Sequence, residues 1–230
     1  AASDVYKRQR LRMYLKVKRM LGVFLSFLGL TVVSPVLLAT AIAIKAESRG
    51  PVIFKQKRIG KDGKVFEIYK FRSMCVGAEK TGSGVYSGKN DARVTKVGRF
   101  IRATSIDELP QFVNILKGEM SIIGPRPVLT YHPWPYSDYT QRQKKRFDVR
   151  PGVTGWAQVN GRKELPWEKR LEYDVEYVEH LSFAFDVKIF FKTAAKVFTN
   201  ADNVNTAQTA PAGCVQLHQD DDTVKESAVK

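Results

Sequence analysis

MLGVFLSFLGLTVVSPVLLATAIAI, residues 20–44, runs for 25 positions without a charged side chain. A helix needs about 20 residues to cross a bilayer, so the run is long enough. A soluble helix seldom stays apolar on every face for this length. The run is too long for a signal peptide, and no small-residue cleavage site follows it. Two features bear on how it meets a membrane. Ser34-Pro35 lies near its middle; proline removes an amide donor and clashes with the preceding turn, so the pair predicts a kink or break. The Ser34 hydroxyl is suited to satisfy the carbonyl so freed. The second feature is charge. Lys16, Lys18 and Arg19 precede the run, and Lys45, Arg49, Lys55, Lys57 and Arg58 follow it. Cytoplasmic flanks are the positive ones, so two positive flanks suit a segment that dips in and returns. A kinked helix that spans once fits charge and proline equally well.

The charge extends outward from this segment. Residues 1–200 hold 36 basic and 18 acidic side chains, and residues 201–230 are net acidic. A field that basic implies anionic partners such as phospholipid, nucleic acid or phosphorylated substrates. A soluble protein with a basic surface is the plainer reading of the same excess. The length of 230 residues suits one domain with tails. Cys75 and Cys214 lack metal-ligand spacing, which argues against a zinc site or a disulfide framework and fits a reducing, cytoplasm-facing compartment.

After the apolar run, GPVIFKQKRIGKDGKVFEIYKFRSM (residues 50–74) reads as a β-hairpin, two strand-like runs around Gly60-Lys61-Asp62-Gly63. Residues 77–92 are a polar, glycine-rich loop. A helix is expected over 95–102 and another over 105–116, with Ser105 as N-cap and Glu108 at the capping-box position. IIGPRPVL (122–129) is a rigid extended loop kept out of a sheet interior by its prolines, where a cis peptide is conceivable. A basic helix follows over 139–147, a loop with a short strand over 151–162, and helices over 165–182 and 185–198. Residues 200–230 are polar, acidic and without period, and read as disordered. The class is α+β, mainly helical with a β-hairpin.

Asp107-Glu108 are adjacent carboxylates at a helix start, where the helix dipole favours negative charge, and by itself that pattern is usually structural. Its context is cationic. Arg99 and Arg102 lie upstream and Arg126 in the next loop. Carboxylates among guanidiniums suit an Mg²⁺-phosphate site, one carboxylate holding metal and another attacking phosphorus. Lys70 and Arg72 flank Phe71 at a strand end and form either a phosphate clamp or a solvated edge. Pro125 and Pro127 fix the backbone around Arg126, which favours a preorganised anion contact. Arg150-Pro151-Gly152-Val153-Thr154-Gly155-Trp156 lets backbone approach a ligand or serves as a folding turn. The chain has no GxxxxGK[ST], GxGxxG or HExxH motif.

Taken in order, the apolar run with Ser34-Pro35, GPVIFKQKRIG, IYKFRSM, TSIDELPQFVNILKGEMSIIGPRP, VRPGVTGWAQVNGR and YDVEYVEHLSFAFDVKI resemble the bacterial sugar transferases that are monotopic polyprenyl-phosphate phosphoglycosyl transferases. The resemblance covers residues 17–199. It implies a re-entrant membrane helix over 16–48 broken at Ser34-Pro35, a cytosolic catalytic domain over 49–199, and an N-terminal extension over 1–15. It implies Asp107 as nucleophile and Glu108 as catalytic partner and Mg²⁺ ligand. Lys70, Arg72, Arg102, Pro125, Arg126, Pro127, Asp174 and Asp186 are the expected substrate-binding positions. The implied partners are a UDP-sugar, undecaprenyl phosphate and inner-membrane phospholipid at the cytoplasmic face of a bacterial inner membrane. Nucleic acid is not expected, and a homodimer stays open. The product would start a glycan such as capsule, exopolysaccharide or O-antigen. The sugar is not encoded in any motif; the chain length, like that of smaller members, points to an N-acetylated one.

Overall fold

A single helix, α1 (Ala2–Glu47), carries the apolar run. The computed structural model describes residues 2–81, 91–161 and 165–199. The expected disordered tail and most of the loop over 77–92 lie outside them. α1 is long and apolar enough to cross a membrane, and only 11% of its most apolar window is buried. Its secondary structure runs unbroken through Pro35, which corrects the expected interruption at Ser34-Pro35. The chemistry is local. Pro35 brings no N–H to the carbonyl of Thr31, and the Ser34 hydroxyl donates to that carbonyl at 2.8 Å instead.

One stripe of α1 packs on the rest of the molecule along most of the helix. The guanidinium of Arg19 donates to the carbonyls of Ile115 and Leu116. Gly22 lies against Ile115 and Gly29 against Phe112. Leu37, Ala41 and Ile44 pack with Phe71 and Ile101. The opposite side exposes Met20, Phe24, Phe27, Val32, Leu38 and Ile42, an apolar stripe of the kind that marks a membrane or protein contact.

The expected hairpin is present as β1 (Ile53–Ile59) and β2 (Val65–Phe71), paired antiparallel from Ile53↔Phe71 to Ile59↔Val65. Its connection places Asp62 and Gly63 at positive φ, the conformation that glycine and aspartate best tolerate. Strand β4 (Val128–Leu129) adds to β1 and leaves β2 at an edge. Helix α2 (Lys96–Ala103) is capped by the Thr95 hydroxyl. Helix α3 (Gln111–Lys117) covers the β2 edge, because Asn114 accepts from the Tyr69 amide at 3.0 Å and donates to the Glu67 carbonyl at 2.7 Å. Ile68, Ile115 and Met120 form the core between them.

Strands β3 (Ser121–Ile123) and β5 (Gly152–Thr154) pair in parallel, and α4 (Gln141–Lys144) and α5 (Trp156–Val159) are single turns. Helices α6 (Trp167–Glu179) and α7 (Phe183–Thr199) close the body around Trp156, Tyr177 and Ile189. The glycines over 150–156 serve the folding turn. A Cβ on Gly155 would lie 2.1 Å from the Gly124 carbonyl oxygen, so the backbone they admit is the protein's own. The cis peptide is His132-Pro133, outside the loop over 122–129 where one was conceivable.

Candidate active site

Asp107 and Glu108 sit in a short 3-10 turn, Ile106–Glu108, between α2 and α3. This corrects the helix expected over 105–116 and the capping box within it. Ser105 has φ +58 and makes no side-chain cap. A capping box would send the Glu108 carboxylate back to the Ser105 amide. Here two cations from elsewhere in the chain take it. Lys70 Nζ lies 2.9 Å from Glu108 Oε1, and Arg126 Nη2 lies 2.6 Å from the same oxygen. Oε2 has one long contact, 3.5 Å from Arg126 Nη1.

The fold supplies each partner from a separate element. The period of β2 puts Ile68 and Lys70 on one face, with Ile68 in the core under α3 and Lys70 at the strand end beside the turn. Arg126 comes from the loop between β3 and β4. Arg102 closes the last turn of α2 and bears electrostatically on Asp107. The two carboxyls are consequently unequal. Burial pushes Asp107 up to about 6, with Glu108 adding to the rise while Lys70, Arg102 and Arg126 oppose it. Burial also disfavours the Glu108 anion, but Arg126 and Lys70 outweigh it and hold that carboxyl well below its usual range. Among the described residues no hydrogen bond holds the Asp107 carboxylate.

Other expected site residues lie one layer back. Pro125 and Pro127 flank Arg126, and their carbonyls accept from the Gly152 amide at 2.9 Å and the Arg58 guanidinium at 3.1 Å. Arg72 is buried and donates to the Ser48 and Arg49 carbonyls, each at 2.7 Å. It therefore clamps the C-terminal end of α1 and is not joined to the dyad. Asp174 pairs with Arg146 at 2.6 Å. Asp186 accepts from Tyr177 at 2.7 Å, pairs with Lys18 at 2.6 Å and takes the Tyr14 hydroxyl. It ties the start of α1 to the body and does not reach the dyad. Sequence reasoning missed Arg146 as a contributor. In QRQKKRF it is one of several cations, and only its place beside buried Phe147 hints that it turns inward.

The donor set for Mg²⁺ is incomplete. No cluster of three or more acidic, histidine or cysteine side chains is present among the described residues, so the protein alone offers no full cage. Mg²⁺ is commonly held by one or two carboxylates together with substrate phosphates. Glu108 Oε2 and the Asp107 carboxylate fit that incomplete set.

The family description "bacterial sugar transferase" matches residues 13–200. The chain is 48% identical over 189 residues to the UDP-glucose:undecaprenyl-phosphate glucose-1-phosphate transferase of Escherichia coli (strain K12), covering 80% of this chain and 40% of that protein. It is 43% identical over 185 residues to the uncharacterized sugar transferase EpsL of Bacillus subtilis (strain 168), covering 80% of this chain and 88% of that one. The UDP-N-acetylgalactosamine-undecaprenyl-phosphate N-acetylgalactosaminephosphotransferase of Aeromonas hydrophila is 43% identical over 189 residues, with 81% and 44% covered. The chain thus spans less than half the length of the first and third of these relatives. With the match running over most of its length, the chain belongs to the bacterial sugar transferase family.

Proposed function

We propose that this chain transfers a sugar 1-phosphate from a UDP-sugar to undecaprenyl phosphate through a covalent intermediate on Asp107. The observation that carries the reading is the unequal dyad. Glu108 is anchored by two cations, while its neighbour Asp107 is half-buried, without a hydrogen bond among the described residues, and pushed up to about 6. A carboxylate short of stabilising partners is more basic and a better nucleophile, and at neutral pH it is still mostly ionised. An Asp107 oxygen attacks the β-phosphorus as the bond from that phosphorus to the bridging oxygen breaks, and UMP leaves with the electron pair. An oxygen of the lipid phosphate then attacks the same phosphorus and releases the carboxylate. Lys70, Arg102 and Arg126 neutralise the phosphate oxygens during both displacements. Glu108, together with the substrate phosphates, would hold Mg²⁺, which when bound would supply positive charge to the phosphates.

The same reading covers the membrane. Both ends of the apolar run rest on one body, Arg19 on α3 and Ile44 on Phe71 and Ile101. An arrangement with both ends on one side of a bilayer accounts for that contact and for the positive flanks, and the positive flanks support a reading in which that side is the cytoplasmic one. α1 then meets the bilayer without crossing it, presenting the dyad to a lipid head at the interface. The relatives are named for glucose and N-acetylgalactosamine donors, and either class is a candidate substrate. The experiment is to supply the detergent-solubilised chain with UDP-glucose or UDP-N-acetylhexosamines, Mg²⁺ and undecaprenyl phosphate. UMP release that requires the lipid acceptor for repeated turnover is the expected result. Release that is absent with every UDP-sugar, or undiminished in Asp107→Asn, would overturn the reading.

A further inference from the structure

We propose that Arg146, seated on Asp174, is a positioning residue that sets the reach of Arg126 toward the dyad. The inference rests on the reading of the site just given.

The loop that carries Arg126 has a peculiarity of composition. Pro125 and Pro127 have no backbone N–H. Much of what holds the loop in place must therefore reach its carbonyls, and each of the three carbonyls in Pro125-Arg126-Pro127 has a donor. Gly152 N–H donates to Pro125 O at 2.9 Å, Arg146 Nη2 to Arg126 O at 2.9 Å, and Arg58 Nη1 to Pro127 O at 3.1 Å. The middle donor bears directly on the functional residue, because fixing its carbonyl fixes the peptide plane from which its side chain leaves.

Arg146 is an unusual group to use for this. Its side chain is 3% exposed and that of Asp174 is 4% exposed, with the ions 2.6 Å apart. A buried ion pair is weak evidence of stabilisation, since apolar residues of similar volume often serve as well. A charge-assisted bond is, however, shorter and stiffer than a neutral one. The same Nη2 serves both the Asp174 carboxylate and the Arg126 carbonyl. The pair is thereby one unit: Asp174 orients Arg146, Arg146 holds the loop, and the loop aims the Arg126 guanidinium at Glu108, 2.6 Å away. Asp174 and Arg146 act through Arg126 and make no contact with the dyad.

The experiment measures binding of UDP-sugar, the donor that turns over in the assay above, by calorimetry. It uses the full chain carrying Asp107→Asn, so that ligand is held without turnover. Asp174→Asn and Arg146→Lys are added singly, the second keeping a cation beside Asp174 without the guanidinium's fork. Each is expected to weaken binding about tenfold with stoichiometry preserved, and to change it less than about twofold once Arg126→Ala is present, because residues acting through one partner are not additive. If Asp174→Asn does not fold, Arg146→Lys carries the test alone. A lowered stoichiometry with unchanged affinity would mark the pair as a folding staple only and overturn the proposal. An equal loss with and without Arg126 would overturn it as well. Absence of UDP-sugar binding to the Asp107→Asn chain itself would overturn the functional reading and this proposal together, whereas binding there with no change in either added variant overturns this proposal alone.

Discussion

Two neighbouring carboxyls with opposite fates define the residue scale. Asp107 is raised to about 6 chiefly by burial. A raised carboxyl disfavours the folded state once it ionises, so its cost is absent below the unfolded value of 3.8 and complete above about 6. Asp107→Asn should therefore abolish turnover, a loss of at least about a thousandfold, yet raise the melting temperature of the metal-free protein at about pH 7.5. The gain should shrink as the pH falls toward about 4.5, and differential scanning calorimetry at the two pH values checks it. Glu108 is the reverse case, stabilising the fold above its unfolded value of 4.5 through Lys70 and Arg126. Glu108→Gln should lower both the melting temperature at neutral pH and the turnover, and excess Mg²⁺ should recover turnover only in part. Activity that persists in a chelator would remove the metal from the account. The cationic setting of the two carboxyls was legible in part, because Arg102 and Arg126 stand close to them along the chain. Asp186 was not legible as an anchor, since its partners Tyr14 and Lys18 lie at the far end of the sequence.

At the scale of elements, local and long-range preferences compete. Thr95 caps α2 because its partner, the Gly98 amide, is three residues away and nothing else contests the hydroxyl. The hairpin was legible for a similar reason, since alternation and the GKDG turn are both local signals. Ser105-Ile106-Asp107-Glu108 carries the same kind of local signal and folds otherwise, because Lys70 on β2 and Arg126 in the 125–127 loop offer Glu108 full charges in place of one amide. Pro35 shows the opposite outcome. A locally unfavourable residue stays in a helix because Ser34 repairs the one freed carbonyl. Arg72 illustrates a long-range role that no strand pattern announces, for it follows β2 directly yet closes α1. Arg72→Ala should destabilise the chain by about 1–3 kcal/mol, since it leaves buried carbonyls without donors. Urea unfolding would read the change, while reactivity per folded molecule at Asp107 should stay within about twofold of the parent.

For the whole molecule, the disposition of α1 decides where the proposed site would meet a lipid acceptor. Its C-terminal end is joined to the dyad's own neighbourhood, because Glu47 accepts from the amides of Lys96 and Val97 at 2.6 and 3.0 Å, and α2 leads from there to Asp107. Its N-terminal part is held by Asp186 and Tyr177. Both flanks should then lie on one side of the bilayer. In a background with Cys75 and Cys214 replaced by serine, Arg10→Cys and Lys61→Cys should be equally shielded from an impermeant thiol reagent in intact cells. Labelling of the first with protection of the second would establish a spanning helix instead. Moving the flanking cations through the hydrocarbon would cost roughly 2.5–3.5 kcal/mol for each at the centre, which favours the one-sided arrangement.

The central claim is that Asp107 carries the sugar phosphate during transfer, and mass spectrometry of the chain after brief exposure to UDP-sugar without lipid acceptor addresses it most directly. The account predicts one UMP released per active chain and a mass gain of one sugar phosphate on the peptide bearing Asp107, lost on adding undecaprenyl phosphate and absent from Asp107→Asn. Full turnover in the presence of acceptor with no adduct trapped in its absence, or an adduct on any other residue, would contradict it.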